Sequence, residues 1–302
     1  RWTLVCFAED LVEDIKPLKS DDLWLVSGGG SGVTAASIIG VANSSKNSGA
    51  TFVLLGRSKL IEETSDWLGW DEDQLNDRKM ELREHLISES ESGKVTMVEW
   101  NNAWTKFTRS MDIYHTISEI EASGNYAEYH SANVTDAKSI ATAVANRKVT
   151  GIVHGAGLEE SKLVADKSWN IFDLIVRVKV DGWKALCASA SDSLRFACAF
   201  TSVAGRFGNG GQTDYAAANS ILDAEMARLT ANSECRAVAI GWTGWRDVGM
   251  ATRGSIEAVF ESAGIETLSV EDGVQIFVGE ALAGGKRRVL GCGSLGLMDR
   301  FD

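Results

Sequence analysis

Leu23-Trp24-Leu25-Val26-Ser27-Gly28-Gly29-Gly30-Ser31-Gly32-Val33-Thr34-Ala35-Ala36 is the stretch on which the fold turns. Leu23 to Ser27 is an apolar run that reads as a strand. A glycine-rich turn follows it, and an apolar helical stretch then continues to about Asn43. Thr51 to Leu55 reads as a second strand, ending in Gly56-Arg57-Ser58. Strand, turn, helix and strand together fill the roughly 30 residues of a βαβ unit. Gly28, Gly30 and Gly32 let the backbone turn tightly and approach a ligand, and Ser27 closes the strand. The helix start at Ser31, Gly32 and Val33 offers free N–H groups and the positive end of the helix dipole. An ordinary glycine turn is the plainer reading. The strand before it and the second strand on schedule favour a dinucleotide pyrophosphate site.

The end of the second strand selects the cofactor. A carboxylate there would bind a ribose 2′-hydroxyl, whereas an arginine pairs with a 2′-phosphate. Arg57-Ser58 stand at this place, with no carboxylate before Glu62, so NADPH is expected over NADH. Further along, Ala132-Asn133-Val134-Thr135-Asp136 follows a strand at Tyr126 to Ser131. Asn133 and Val134 are placed to meet an adenine, and Asp136 to cap the next helix. A strand from Thr150 ends in His154-Gly155-Ala156-Gly157, where Gly155 and Ala156 leave room for a ligand. His154 reads better as a residue that holds the turn than as a general base.

Thr201-Ser202-Val203-Ala204-Gly205, through Gln212-Thr213-Asp214-Tyr215 to Asn219, is the second informative stretch. A strand beginning at Phe196 ends at Ser202. Tyr215 and Asn219, four apart, share one face at the start of a helix. A hydroxyl, a phenol and an amide thus gather at the C-terminal edge of the sheet, where α/β folds bind ligands. Before them, a helix read over Lys167 to Ser189 carries Lys179 on an apolar stripe with Phe172, Ile175, Val176 and Trp183. Local sequence leaves two uses for that ammonium: snorkelling to solvent, or acting on a nearby group such as a phenol. After a strand at Cys235 to Ile240, the loop from Gly241-Trp242 to Gly249-Met250 is of the kind that closes over a cofactor and substrate.

Seven strands alternating with helices, the last at Arg287 to Leu290, predict an α/β fold: a Rossmann-like doubly wound parallel sheet. The second strand is followed by a helical insertion at about 60–113. In it Asp71 to Ser92 reads as a helix with Leu75, Leu82 and Leu86 inward, and helix resumes at Tyr114. Trp67, Trp70, Trp100 and Trp104 are expected to pack the insertion onto the domain. Helices are also expected at Ser255 to Ala263 and Val270 to Leu282. Residues 1–20 form a lead-in and 21–302 one cofactor-binding domain. The chain starts at Arg1 without a Met, and reads as a segment of a longer polypeptide.

With 302 residues, 44% hydrophobic, and a net charge of −12, the chain is not read as a nucleic-acid or anionic-membrane binder. No apolar run reaches the ~20 residues of a membrane span. Five scattered cysteines and four histidines lack metal-ligand spacing, and point to a reducing, cytoplasmic setting.

In their order, these motifs resemble the ketoreductase domains of polyketide and fatty-acid synthases, within the short-chain dehydrogenase/reductase superfamily. More narrowly the chain is similar to those of polyunsaturated-fatty-acid synthases. The resemblance runs from residue 23 to about 290, through the glycine turn, Gly56-Arg57-Ser58, His154 to Gly157, Lys179-Val180-Asp181-Gly182, Ser202 to Gly205, Gly208-Asn209, Gly211-Gln212, Tyr215 to Asn219 and Gly249-Met250. It implies NADPH-dependent reduction of a β-ketoacyl chain held on an acyl carrier protein, among neighbouring synthase domains. Tyr215 would give the proton and Ser202 would hold the ketone oxygen. Lys179 would sit by Tyr215 and the nicotinamide ribose, and Asn219 would complete the relay. The resemblance settles Lys179 in favour of a functional use. Alternatives are a non-catalytic scaffold and a free-standing reductase of small ketones. Thr34 stands where the family has a last glycine, Asn133 where it has an aspartate, and Gly244 where it has a proline. Glu159-Glu160-Ser161 and Phe207 match neither of its stereochemical markers.

Overall fold

The computed structural model describes residues 15–61, 68–190, 193–249, 264–284 and 288–296. Strand β1 (Leu23–Ser27) is buried along its whole length, as a central parallel strand covered on both faces must be. It pairs with β2 (Thr51–Gly56) on one side and β4 (Gly151–His154) on the other. Beyond β2 lies β3 (Tyr126–Ser131); beyond β4 come β5 (Phe196–Ser202), β6 (Arg236–Trp242) and β7 (Arg288–Gly291). All seven are parallel, in the order 3-2-1-4-5-6-7. The chain therefore reverses its winding between β1 and β4. That reversal opens a crevice at the strands' carboxyl ends, as such topologies do.

Alternation along the strands divides the core. Trp24, Val26, Phe52, Leu54, Cys198, Phe200 and Ile240 face the layer of α1 (Gly32–Ser44), α3 (Met97–Ala122) and α8 (Val270–Leu282). Leu25, Val53, Leu55, Ile152, Ala197 and Ala239 face α4 (Ala137–Val144), α5 (Trp169–Ser189) and α7 (Thr213–Asn232). Among the described residues, no helix is long and apolar enough to cross a membrane.

The insertion after β2 is helical as expected, but its layout differs. The helix read from Tyr114 begins at Met97 and runs for 26 residues. A capping box starts it: Thr96 accepts from the Glu99 backbone N–H, and the Glu99 side chain accepts from that of Thr96. The preceding helix α2 (Glu72–Glu89) is capped likewise by Asp71 and Gln74. Leu75, Leu82 and Leu86 are half-buried, but no residue of α2 is fully buried. The join between α2 and α3 is aromatic: Trp100, Trp104 and Phe107 stack in series, with Lys79 5.3 Å from the Trp104 ring and Arg78 5.9 Å from that of Phe107. Trp67, the expected helix at Ser255 to Ala263, Met250 and Arg287 lie outside the described residues.

Candidate active site

At the crevice the ends of β1 and β4 are tied by side chains. Ser27 Oγ and His154 Nδ1 are 2.6 Å apart, and His154 Nε2 meets the Lys179 carbonyl oxygen at 2.9 Å. His154 is wholly buried, and burial first, then the Lys179 charge, pushes its pKa down to about 3. It is a neutral brace between β1, β4 and α5. The Ser27 side chain is turned into that brace. Gly28, at φ 73°, passes so close to Ala156 that a Cβ would lie 2.9 Å from its backbone nitrogen. Thr34, in place of the last glycine, fits because Gly155 has no side chain: a Cβ there would overlap Thr34 Oγ1. The glycine's task of close helix–strand packing has passed to the partner. Ser31 caps α1 without a side-chain hydrogen bond, and the first turn carries no acidic residue. An uncapped, unneutralised helix start of this kind suits a pyrophosphate.

Carboxyl to this turn lies a cavity of about 170 Å³, lined by Val33, Thr34, Gly155, Lys179, Ser202, Tyr215 and Trp242, together with Glu159 and Gln212. It joins the first turn of α1, at Val33 and Thr34, to the hydroxyl–phenol pair at the end of β5 and the start of α7. Over it runs the loop after β6, whose Gly249 lies 3.7 Å from where a Gly32 Cβ would stand.

Each polar member is held by its element. Ser202 caps the short helix α6 (Val203–Phe207), accepting from Ala204 N–H at 3.1 Å. A hydroxyl that accepts there still has its own proton to donate. Gly205 lets α6 touch α7: a Cβ on it would fall 2.8 Å from the Asn219 Cβ. Tyr215 is buried in the first turn of α7, the backbone N–H donating to Asp214 Oδ1. Asp214 in turn forms a fully buried ion pair with Lys167 at 2.7 Å. Asn219 Nδ2 donates to the Tyr215 carbonyl at 2.8 Å, while its buried Oδ1 has no partner among the described residues.

Lys179 does not snorkel. It is 3% exposed, and Nζ donates to the Phe200 carbonyl at 2.6 Å. Burial lowers its pKa to about 8. Tyr215 moves the other way, up to about 12: burial dominates, Asn219 pulls down, the Glu159 carboxylate pushes up and Ser202 pulls down. In this arrangement the ammonium points at a carbonyl and the phenol holds its proton firmly at neutral pH.

The remaining expected contacts are more dispersed. Asn133 is exposed, and its Oδ1 accepts from Thr135 N–H and hydroxyl. The Val134 side chain is in the core, leaving only its backbone to a ligand. Arg57 and Ser58 line a separate cavity with Lys59. Sequence reasoning did not place Glu159 in the main cavity, where Ser161 Oγ and Gln212 Nε2 donate to its Oε1. Nor did it foresee the Lys167–Asp214 pair.

The family model described as KR domain matches residues 24–247. The chain belongs to the KR-domain family. Such ketoreductase domains are carried by polyketide and polyunsaturated-fatty-acid synthases, on a short-chain dehydrogenase/reductase-like fold. The KR domain is 30% identical over 271 residues to a polyunsaturated fatty acid synthase polypeptide of Thraustochytrium sp., covering 85% of this chain and 9% of that protein. It is 28% identical to polyketide synthase PksN of Bacillus subtilis, over 86% of this chain and 4% of that one. The KR domain thus spans under a tenth of the curated relatives it matches. A solved A1-type ketoreductase has the same fold, with a TM-score of 0.67 at 20% identity, over 95% of this chain and 50% of that one.

Proposed function

We propose that this KR domain reduces the β-carbonyl of an acyl thioester carried on an acyl carrier protein, within a synthase of the polyketide or polyunsaturated-fatty-acid type, with NADPH as reductant. The observation that carries the reading is one cavity in which Lys179, Ser202 and Tyr215 converge beside the glycine turn. The narrow approach at Gly28 and the open start of α1 fit a dinucleotide, and Arg57 fits its 2′-phosphate.

When bound, the nicotinamide supplies a hydride to the carbonyl carbon. The chain's residues deal with the charge that develops on oxygen. Ser202 donates a hydrogen bond to it from a position fixed by its capping of α6. Tyr215 gives it a proton: burial raises the phenol's pKa to about 12 and keeps it protonated at neutral pH, and the more basic alkoxide forming on the ketone carbon draws that proton off. Lys179 holds a buried positive charge at the floor of the site. Asn219, with its free Oδ1, is placed to accept from water behind the tyrosine. Gly155, Gly28, and the backbone of Asn133, Val134 and Ala156 give close approach to the cofactor, and Trp242 closes the end near β6.

The reading is tested by comparing kcat/KM for NADPH oxidation with a β-ketoacyl thioester on a carrier protein and with a small free ketone. The carrier-bound substrate is expected to win by at least about tenfold. Equal values point instead to a reductase of small ketones.

A further inference from the structure

The insertion does more than sit on the surface. Helix α3 presents Asn102, Lys106, Arg109, Ile113, Thr116 and Ile120 at alternating spacings of four and three, which is one stripe along a helix. Its inner half touches the glycine turn. Ile113 stands where a Gly30 Cβ would be, 2.8 Å from its Cγ1, and Thr116 Oγ1 donates to the Gly30 carbonyl at 3.3 Å. Its middle holds the loop after β2, since the Ile61 N–H donates to buried Ser110 Oγ at 2.9 Å. Its outer half, Lys106 and Arg109, faces Arg57, Ser58 and Lys59 across a single cavity.

Four cations thus line one cavity in a chain of net charge −12. None of them forms an ion pair with another described residue. Asp112, on the next turn of α3, feels the Arg109 charge without pairing with it. The backbone beneath them is fixed from β3: Tyr129 hydroxyl donates to the Ser58 carbonyl at 2.7 Å, and Ser131 hydroxyl to that of Arg57 at 3.3 Å. Like charges gathered on a fixed floor call for an anion of high charge. The cavity adjoins the end of β2, where the ribose of a dinucleotide held on the glycine turn would lie.

We propose that Lys106 and Arg109, on the inserted helix, complete with Arg57 and Lys59 a site for a phosphate monoester dianion, the 2′-phosphate of the cofactor. The insertion is then a specificity element: it carries two of the charges that separate NADPH from NADH. This rests on the reading of the glycine turn as a dinucleotide site.

The test is titration of the wild type, Lys106→Ala, Arg109→Ala and Arg57→Ala with NADPH, NADH, 2′,5′-ADP and 3′,5′-ADP. Each α3 variant is expected to weaken NADPH and 2′,5′-ADP about tenfold, with NADH changed less than about twofold. Arg109→Lys, which keeps the charge, is expected to restore part of the loss. If the wild type prefers NADPH and Arg57→Ala removes that preference while both α3 variants keep it, this inference fails and the cofactor reading stands. A wild type that binds NADH as tightly as NADPH overturns both. Binding of 3′,5′-ADP as tight as that of 2′,5′-ADP overturns the assignment of the site to the 2′-phosphate.

Discussion

Lys179 should make the folded protein less stable at neutral pH, and its replacement by methionine should make it more so. The side chain is 3% exposed and its pKa falls from 10.5 to about 8, through burial. Such a fall is a penalty on the order of 3 kcal/mol for keeping the charge inside. Lys179→Met keeps the length and apolar stem but gives up the charge-assisted hydrogen bond from Nζ to the Phe200 carbonyl, about 2 kcal/mol. The net gain is about 1 kcal/mol, a rise in Tm of roughly 2 °C for a chain of this size. The sign with pH follows from the depressed value. Between about 8 and 10.5 the unfolded chain binds more protons than the folded one, so wild-type stability rises with pH across that window. The advantage of the variant is full below pH 8 and shrinks towards pH 10.5. Thermal melts of both proteins at about pH 7 and pH 10, without cofactor, read it directly. A variant that melts at or below the wild-type temperature at neutral pH refutes the idea that the charge is held there against the interests of folding. The same variant should lose ketone reduction, which identifies the penalty as one kept for function.

His154 gives a dependence of the same sign in an acid window. Its folded pKa of about 3 lies below the ordinary 6.5, so stability is lost as pH falls between these values, by up to about 1.4 kcal/mol per pH unit. His154→Gln should flatten this dependence in urea titrations at about pH 7.5, 6 and 5; an unchanged slope would place the acid sensitivity elsewhere. Gly205→Ala drives a methyl against Asn219 and the Ser220 backbone nitrogen at 3.2 Å. It should cost about 1–3 kcal/mol and lower kcat roughly ten- to a hundredfold by parting Ser202 from Tyr215. A stable variant with wild-type kcat contradicts this role of the α6–α7 contact.

Much of this molecule was legible in its sequence because its central strands are short apolar runs closed by small residues. The five central strands emerged that way, and so did the glycine turn; the edge strands β3 and β7 are more polar and only partly buried. Ser202 and Tyr215 were found because strand end and helix start are local signals. The 26-residue extent of α3 was missed although its capping box, Thr96 to Glu99, was in plain view. The residues after the box are polar and aromatic, lacking the apolar period that marks a helix, because their partner is α2 and not the core. Lys179 was ambiguous for another reason. Its neighbours on α5 tell that the stripe is buried, but only the tertiary contact with Phe200 tells where the ammonium ends. Glu159, the Lys167–Asp214 pair and the meeting of Lys106 and Arg109 with Arg57 and Lys59 all depend on segments from different parts of the chain. No spacing within one segment reveals such meetings.

Tyr215 is the proposed proton donor to a ketone held in the cavity with Ser202. The most direct test of that role is Tyr215→Phe, assayed by NADPH oxidation with a β-ketoacyl thioester alongside NADPH binding. Turnover should fall by about 10²–10⁴-fold, with the NADPH Kd within about twofold of wild type. Turnover equal to that of wild type, in a variant that still binds NADPH, would contradict the account.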